Sequence, residues 1–156
     1  MSADNSSLVP SFVVFHVGKR RVALSRDCVA ELIASPIVFS FPHTTPLITG
    51  VALRRGRIVP VLDLGPGLLG EASPPARFFL VVERRISKSS ERCAIPVQGE
   101  CELVTGIMLS PTSQEDFVAG HLDLNEERID VLDLEKAIAA GVRNEEETVP
   151  AAEALS

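Results

Sequence analysis

Short runs of apolar, strand-forming residues recur along this chain and are separated by glycine, proline and charged residues. The runs are Phe12–Phe15, Val22–Leu24, Val51–Leu53, Ile58–Leu64, Phe78–Val82, Cys93–Val97, Leu103–Leu109 and Ile129–Leu134. Short runs at this spacing are typical of an all-β barrel or sandwich. Gly18 before Lys19 and Arg20 predicts a hairpin turn between the first two runs, and the serine-rich segment Ile86–Arg92 predicts a longer hairpin.

Helix-forming patterns are short and few. Residues Leu134–Ala140 are good helix formers, with Asp133 placed as the N-cap and Gly141 as the stop signal. A further helical turn is predicted after Asp63. The segment Asp27–Ala34 is compatible with either a helical turn or a strand, and its sequence leaves this choice open.

A unit of about 70 residues occurs twice in the sequence. Gly50–Leu64 returns as Gly120–Leu134, an offset of 70 (120 minus 50), and Ala23–Ile33 returns as Ala94–Val104, an offset of 71 (94 minus 23). Each copy is too small to bury a large core alone, so we expect the two copies to pack against one another.

The bulk composition is that of an ordinary folded protein. The 156 residues suffice for one compact domain or for two very small subdomains that share a core. With 46% hydrophobic and 23% charged residues, the chain is too apolar to be disordered. The net charge of -6 argues against a general nucleic-acid binder, because phosphate neutralisation needs a concentrated positive surface.

No segment predicts insertion into a membrane. Met1–Leu8 lacks the positive start and apolar region of a signal peptide. The longest uncharged stretch, Leu32–Leu53, has the length of a membrane span, but its three prolines (Pro36, Pro42 and Pro46) would break a spanning helix. We therefore expect no direct membrane insertion.

The three cysteines, Cys28, Cys93 and Cys101, are an odd and unpatterned set. Such a set favours reduced, buried thiols over a disulfide framework. Together with the absence of a signal peptide, it predicts a cytoplasmic protein.

At one segment the sequence becomes recognisable. Gly50–Leu64 reads Gly-Val-Ala-Leu-Arg-Arg-Gly-Arg-Ile-Val-Pro-Val-Leu-Asp-Leu and follows the proline-containing Phe41–Pro46. This order resembles the signature of the CheW-like domain family: prolines, Gly-Val, Arg-Gly, then Ile-Val-Pro-Val-Ile-Asp-Leu. Val29–Ile33 resembles the family's Val-x-Glu element, Phe12–Leu24 its opening hairpin and Cys93–Leu134 its second half.

The resemblance covers roughly residues 9–140 and implies an all-β fold of two small five-stranded barrels packed together, with short helical turns and a C-terminal helix. We expect a flexible N-terminus over residues 1–8, a CheW-like domain of two pseudo-repeated barrels over 9–141, and an acidic mobile tail over 142–156. The chain departs from the family pattern in having Leu53-Arg54 where Asn-Leu is usual, and in having no Tyr or Trp.

The resemblance also implies a function. It predicts a non-catalytic adaptor that couples the cytoplasmic tip of a methyl-accepting chemoreceptor to the regulatory domain of a CheA-type histidine kinase, without a cofactor. An alternative is a small-ligand-binding protein or enzyme that uses the cleft between the barrels. An oligonucleotide-binding barrel is a third hypothesis, disfavoured by the net acidity and by only seven Phe as stacking aromatics.

The predicted partner-binding residues follow from the same comparison. Arg55 stands where the family has a receptor-contacting arginine, and Arg54 and Arg57 add positive charge that would favour an acidic partner. Glu31 is either a contact residue or a solvent-facing residue of an alternating strand. Val29 lines either a groove or the core.

Candidate chemistry elsewhere is weak. The repeated Asp63 and Asp133 precede helical turns, so N-capping is the better interpretation than a pair of catalytic carboxylates. The three histidines, His16, His43 and His121, have no metal-ligand spacing, and no phosphate loop or nucleophile elbow is present. The sequence thus predicts no catalytic residue and no metal site.

Overall fold

The computed structural model describes residues 9–40, 47–86 and 88–141. Its strands are β1 (Ser11–Val17), β2 (Arg20–Ser25), β3 (Val29–Ala34), β4 (Val38–Phe39), β5 (Ile48–Arg54), β6 (Arg57–Leu62), β7 (Phe78–Ile86), β8 (Ser89–Thr105), β9 (Val118–Leu124) and β10 (Glu127–Leu132). A 3-10 turn spans Arg26–Cys28, helix α1 spans Gly65–Leu69, and helix α2 covers residues 134–141. The predicted flexible N-terminus and acidic tail lie outside the described residues.

The strands form two sheets that share β8. In the first sheet the order is β3-β7-β8-β6-β5-β4, and in the second it is β8-β1-β2-β10-β9. The first half of β8 pairs with β7, and its second half pairs with β1. The prediction of an all-β fold with two packed halves is confirmed, but over the described residues neither sheet closes, so the term barrel is approximate.

The two sequence copies exchange their hairpins. In the second sheet, β2 of the first copy pairs in parallel with β10 of the second copy through Ala23 and Val131. In the first sheet, β8 pairs with β6 through Ala94 and Val61, which are the repeat counterparts of that pair. Each sheet is therefore built from strands of both copies. The two copies pack against one another, as expected, by pairing strands with each other.

Alternating side chains divide the apolar residues into three clusters. Because successive residues of a strand face opposite sides, β1 places Val13 and Phe15 in a central core between the sheets and Phe12 and Val14 in a core within the second sheet. A third cluster lies within the first sheet, and its buried residues are Ala52, Val59, Val61, Phe79 and Ala94.

Asp133 caps α2, as predicted, whereas Asp63 lies one residue before Leu64, the N-cap residue of α1. Asp63 accepts hydrogen bonds from the backbone N–H groups of Gly65 (2.8 Å) and Ser73 (3.0 Å). Asp133 accepts one from the N–H of Lys136 at 3.1 Å. Backbone N–H donors therefore account for both carboxylates, and Asp63 is also buried. Gly141, predicted to stop α2, is still helical.

Glycine recurs at the start of each copy's hairpin because two strands meet closely there. A Cβ on Gly50 would lie 2.5 Å from the carbonyl oxygen of Phe39, and one on Gly120 would lie 2.5 Å from that of Leu109. Leu109 exchanges both backbone hydrogen bonds with His121 in an isolated bridge. A side chain at either glycine would separate these strands.

Two local predictions are wrong in extent, and one that the sequence left open is resolved. The predicted long hairpin over 86–92 is tight, because β7 continues to Ile86 and β8 begins at Ser89. The separate runs Cys93–Val97 and Leu103–Leu109 are largely one strand, since β8 finds partners in both sheets and ends at Thr105. The ambiguous segment after Ser25 divides into the 3-10 turn and β3.

Within the described residues, no helix has both the length and the apolar composition needed to cross a membrane. The three cysteines are free thiols, of which Cys93 is buried and Cys28 and Cys101 are half-buried. Burial raises the pKa of all three, that of Cys93 to about 12.

Candidate functional site

A two-residue turn presents the predicted arginines at the end of the β5–β6 hairpin. Arg54 and Arg57 face each other as the last strand pair. Between them, Arg55 and Gly56 both have positive φ angles (53° and 76°), the pattern of a type I′ turn. The Arg55 side chain is 75% exposed, so the turn directs a cation into solvent.

Glu31 lies on β3, at the opposite edge of the first sheet from the β4–β5 hairpin. A bulge separates Val29 from Glu31, because Val29 pairs with Val82 whereas Glu31 pairs with the adjacent Val81. Adjacent residues of β7 face opposite sides. The bulge therefore turns Glu31 towards the interior of the first sheet and Val29 towards the central core, against which Val29 packs.

The Arg54 guanidinium reaches from the end of β5 to the edge strand β3, across the open side of the first sheet. It donates from Nε to Glu31 Oε1 at 2.8 Å and from Nη2 to Glu31 Oε2 at 3.1 Å. β3 and β5 share no backbone ladder, so this two-bond ion pair spans the gap that keeps the sheet from closing. Arg55 lies farther away, with Nη2 at 3.9 Å from Glu31 Oε2.

The electrostatics of the pair follow from this geometry. The pKa of the Glu31 carboxyl is lowered, chiefly because it accepts hydrogen bonds from Arg54. The pKa of Arg54 is raised chiefly by the same hydrogen bonds. Glu31 thus stays ionised and neutralised by Arg54 at neutral pH.

These side chains line one wall of an open groove of about 650 Å³, here called the arginine groove. Its charged residues are Glu31, Arg54, Arg55, Arg57, Glu83, Glu91 and Arg92. Its apolar floor includes Val59 and Val81, which are buried, and Ile58, which is 70% exposed. The groove joins an apolar surface to a charged rim, the arrangement found at protein interfaces.

Four of the five predicted residues meet in the arginine groove, and Val29 does not. Val29 lines a separate cavity of about 300 Å³ between the sheets, together with Leu32, Leu80, Cys101 and Leu103. Sequence analysis missed Glu83 and Arg92, which face each other across β7 and β8. Their local sequence is polar like that of any hairpin, so only the pairing of β8 with β6 reveals that they line the same groove as Arg57.

A second exposed surface lies on the other half of the molecule. Leu103, near the end of β8, is 62% exposed, and Ile107, two residues beyond the end of β8, is 76% exposed. With Met108 and Leu109, each 43% exposed, they form what we call the apolar strip. Scattered exposed apolar residues need no explanation, but a contiguous set indicates an interaction surface.

The described residues contain no cluster of three or more His, Cys, Asp or Glu able to hold a metal ion. His121 is buried, with Nε2 at 3.7 Å from Asp123 Oδ1 and Nδ1 without a hydrogen-bond partner. His43 lies outside the described residues. Nothing in this set brings a nucleophile and a base together.

Comparison with known proteins decides the family. The family model described as CheW-like domain matches residues 11–141 of the chain. The chain belongs to the CheW-like domain family. Protein FrzA of Myxococcus xanthus is 31% identical to it over 134 residues, which covers 81% of this chain and 84% of that protein.

The fold of this CheW-like chain is also found in a solved structure. The crystal structure of the scaffolding protein TtCheW from Thermoanaerobacter tengcongensis superposes with a TM-score of 0.67 at 20% identity. The match covers 81% of this chain and 85% of that chain. At this identity the comparison shows a common fold.

These matches confirm the resemblance found in Gly50–Leu64. They also confirm the broad functional prediction, that the CheW-like chain is a chemotaxis coupling adaptor. They give no support to the alternative of a small-ligand binder in the cleft between the sheets.

Proposed function

We propose that this chain is a non-catalytic cytoplasmic adaptor that holds the cytoplasmic tip of a methyl-accepting chemoreceptor and the regulatory domain of a CheA-type histidine kinase at two separate surfaces. The observation that supports it is the presence of two unlike exposed surfaces on a domain of this family. One is the arginine groove of the first sheet, and the other is the apolar strip beyond β8.

The arginine groove is the proposed receptor surface. Arg55 occupies the position of the family's receptor-contacting arginine, and its side chain is 75% exposed at a turn of defined geometry. A rigid hairpin that presents a cation loses little side-chain and backbone freedom on binding. Charge at the rim favours encounter with a complementary partner surface.

The apolar strip is the proposed kinase surface. Its centre, Ile107, is 76% exposed, and Leu109 joins the strip to β9, the edge strand of the second sheet. An apolar centre beside a sheet edge suits association with another β domain through strand-edge or sheet-to-sheet contact.

Isothermal titration of the full chain against each partner fragment tests the proposal. Arg55→Ala is expected to weaken receptor binding about 5-fold or more and to leave kinase binding within about 2-fold, since truncation of a central contact residue costs at least 1 kcal/mol. Ile107→Ser is expected to do the reverse. Ile37→Ser is the matched control, because Ile37 is also 76% exposed but lies outside the apolar strip.

Two results would count against the proposal. A chain that binds neither a kinase regulatory domain nor a receptor fragment from its own organism is not this adaptor. If every variant weakens the binding of the receptor fragment and of the kinase regulatory domain together, the chain has one binding surface instead of two. Concentrations should be measured by refractive index, because the chain has neither Tyr nor Trp.

A further inference from the structure

The arginine groove carries a surplus of positive charge in an acidic protein. The net charge of the chain is -6, yet the groove holds four arginines and three glutamates. Two of these glutamates already have an arginine partner: Glu31 pairs with Arg54, and Glu91 pairs with Arg84, whose Nη1 lies 3.0 Å from Glu91 Oε1 and which also pairs with Glu135. The other charged side chains of the groove are three arginines and one glutamate: Arg55, Arg57, Arg92 and Glu83.

The free cations can be identified. In the ranges 9–40, 47–86 and 88–141, neither Arg57 nor Arg92 lies within 4.0 Å of a carboxylate oxygen, and both side chains are exposed. Arg55 has only the 3.9 Å approach to Glu31. Glu83 faces Arg92 across the β7–β8 ladder and is the remaining acidic side chain of the groove.

Arg54 determines whether the positive charge of Arg55 is available to a partner or is paired with Glu31. Both oxygens of Glu31 accept hydrogen bonds from Arg54, so Glu31 has little left to offer Arg55. If Arg54 were absent, the Glu31 carboxylate would be the nearest anion to Arg55 and would compete with any partner for it. The sequence departs from its family pattern at this position, where Leu53-Arg54 replaces Asn-Leu.

We propose that the arginine groove recognises a carboxylate-bearing segment of a protein partner through Arg55, Arg57 and Arg92, and that Arg54 is a positioning residue that neutralises Glu31 and so keeps Arg55 free. This inference rests on the proposed function and specifies the chemistry of its receptor surface. A protein segment is the occupant because apolar side chains adjoin the cations: Leu53 and Ile58 pair across the hairpin and are 58% and 70% exposed.

A charge cycle at Arg54 and Glu31 tests the inference. The probe is the soluble cytoplasmic fragment of a chemoreceptor from the same organism, titrated at about 50 and 200 mM salt. Arg54→Leu is expected to weaken binding about 3- to 10-fold, because Glu31 then captures Arg55. The double variant Arg54→Leu/Glu31→Gln is expected to recover to within about 2-fold of the original affinity.

The cycle separates positioning from structure. Loss of the edge-joining ion pair is common to Arg54→Leu and the double variant, so a purely structural role predicts that both weaken binding equally. Glu31→Gln alone is expected to bind the fragment at least as tightly as the original chain. Arg128→Leu is the control: it removes an arginine of β10 in the second sheet, whose side chain donates to Thr112, and should change affinity by less than about 1.5-fold.

The direct contacts are tested by Arg57→Ala and Arg92→Ala, each expected to weaken binding about 3-fold and to reduce its salt dependence. Fragment binding that none of the arginine variants alters overturns the inference and leaves the adaptor function standing. Failure to bind any receptor fragment overturns both. Equally tight, Arg55-dependent binding of succinate would replace the protein segment by a small dicarboxylate as the occupant.

Discussion

Replacement of Glu126 by glycine is expected to stabilise the protein. The two sequence copies use the same two-residue turn, and its second residue is Gly56 in the first copy and Glu126 in the second. Glu126 has a φ of 68° and Gly56 a φ of 76°. Only glycine adopts this left-handed region without steric cost.

The size of the effect can be worked from the backbone alone. A side chain in the left-handed region costs roughly 1–2 kcal/mol, and glycine gives back about 0.5–1 kcal/mol through its greater freedom in the unfolded chain. The net gain for Glu126→Gly is therefore about 0.5–1 kcal/mol. At about 2–4 °C per kcal/mol for a chain of this size, the melting temperature should rise by about 1–4 °C.

The reciprocal variant, Gly56→Glu, should lower the melting temperature by a similar amount. A Cβ on Gly56 meets no atom within 4 Å, so the loss comes from backbone strain and not from a clash. Glu126→Gln, which removes the charge and keeps the strained backbone, is the control and should change stability by less than about 0.5 kcal/mol.

Thermal unfolding followed by far-ultraviolet circular dichroism is the suitable assay, because the chain has no Trp or Tyr fluorescence to follow. The strain argument is refuted if Glu126→Gly leaves the melting temperature unchanged, or if Gly56→Glu fails to lower it. An equal rise in Glu126→Gln and Glu126→Gly would assign the effect to charge.

Three other predictions concern the polar and apolar interior. Arg20 donates to Glu115 (2.7 Å) and to Asp130 (3.3 Å), so Arg20→Ala should cost about 2 kcal/mol in urea unfolding. The Arg20 guanidinium lowers the pKa of Glu115, so this contribution is present at neutral pH and is lost as the pH falls through the depressed pKa; a penalty that stays constant as the pH is lowered through the acid range would contradict it. Ile129 is fully buried in the second sheet, so Ile129→Ala should lower the free energy of unfolding by about 3 kcal/mol and Ile129→Val by about 1 kcal/mol. Equal losses would show that the cost does not depend on the size of the cavity left behind. Burial raises the pKa of Cys93 to about 12, so iodoacetamide at pH 8 should modify half-buried Cys101 first and should modify Cys93 only after unfolding in urea. Mass spectrometry of the digested protein measures the labelling of each cysteine. Rapid labelling of Cys93 in the folded protein would contradict its burial.

Much of the local structure could be read from the sequence because it depends on neighbours in the chain. Short apolar runs predicted most of the strands, Gly18 predicted the turn between β1 and β2, and Asp133 was correctly predicted to cap α2. Each of these features is stabilised by groups a few residues apart, so short patterns are sufficient to identify them.

The candidate site was only partly predictable. Arg54, Arg55 and Arg57 are close in sequence, and family resemblance added Glu31. That Arg54 rather than Arg55 holds both oxygens of Glu31 depends on how the two edges of the first sheet approach. Val29 was grouped with Glu31 because both belong to the segment that resembles the family's Val-x-Glu element, but the bulge between them turns the two side chains to opposite sides.

The sequence by itself determined that two similar units form strands, turns and caps, and that the units must bury their apolar faces together. The tertiary structure decided which hairpin completes which sheet. Exchange places the first copy's hairpin beside β10 and the second copy's beside β6. This pairing puts Arg92 and Arg57 in the same groove and buries the central core from both sides. Because the two copies are similar, a hairpin could pair with strands of its own copy or of the other copy through nearly the same local contacts. The difference in free energy between these two pairings lies in long-range packing, which a short sequence pattern does not reveal.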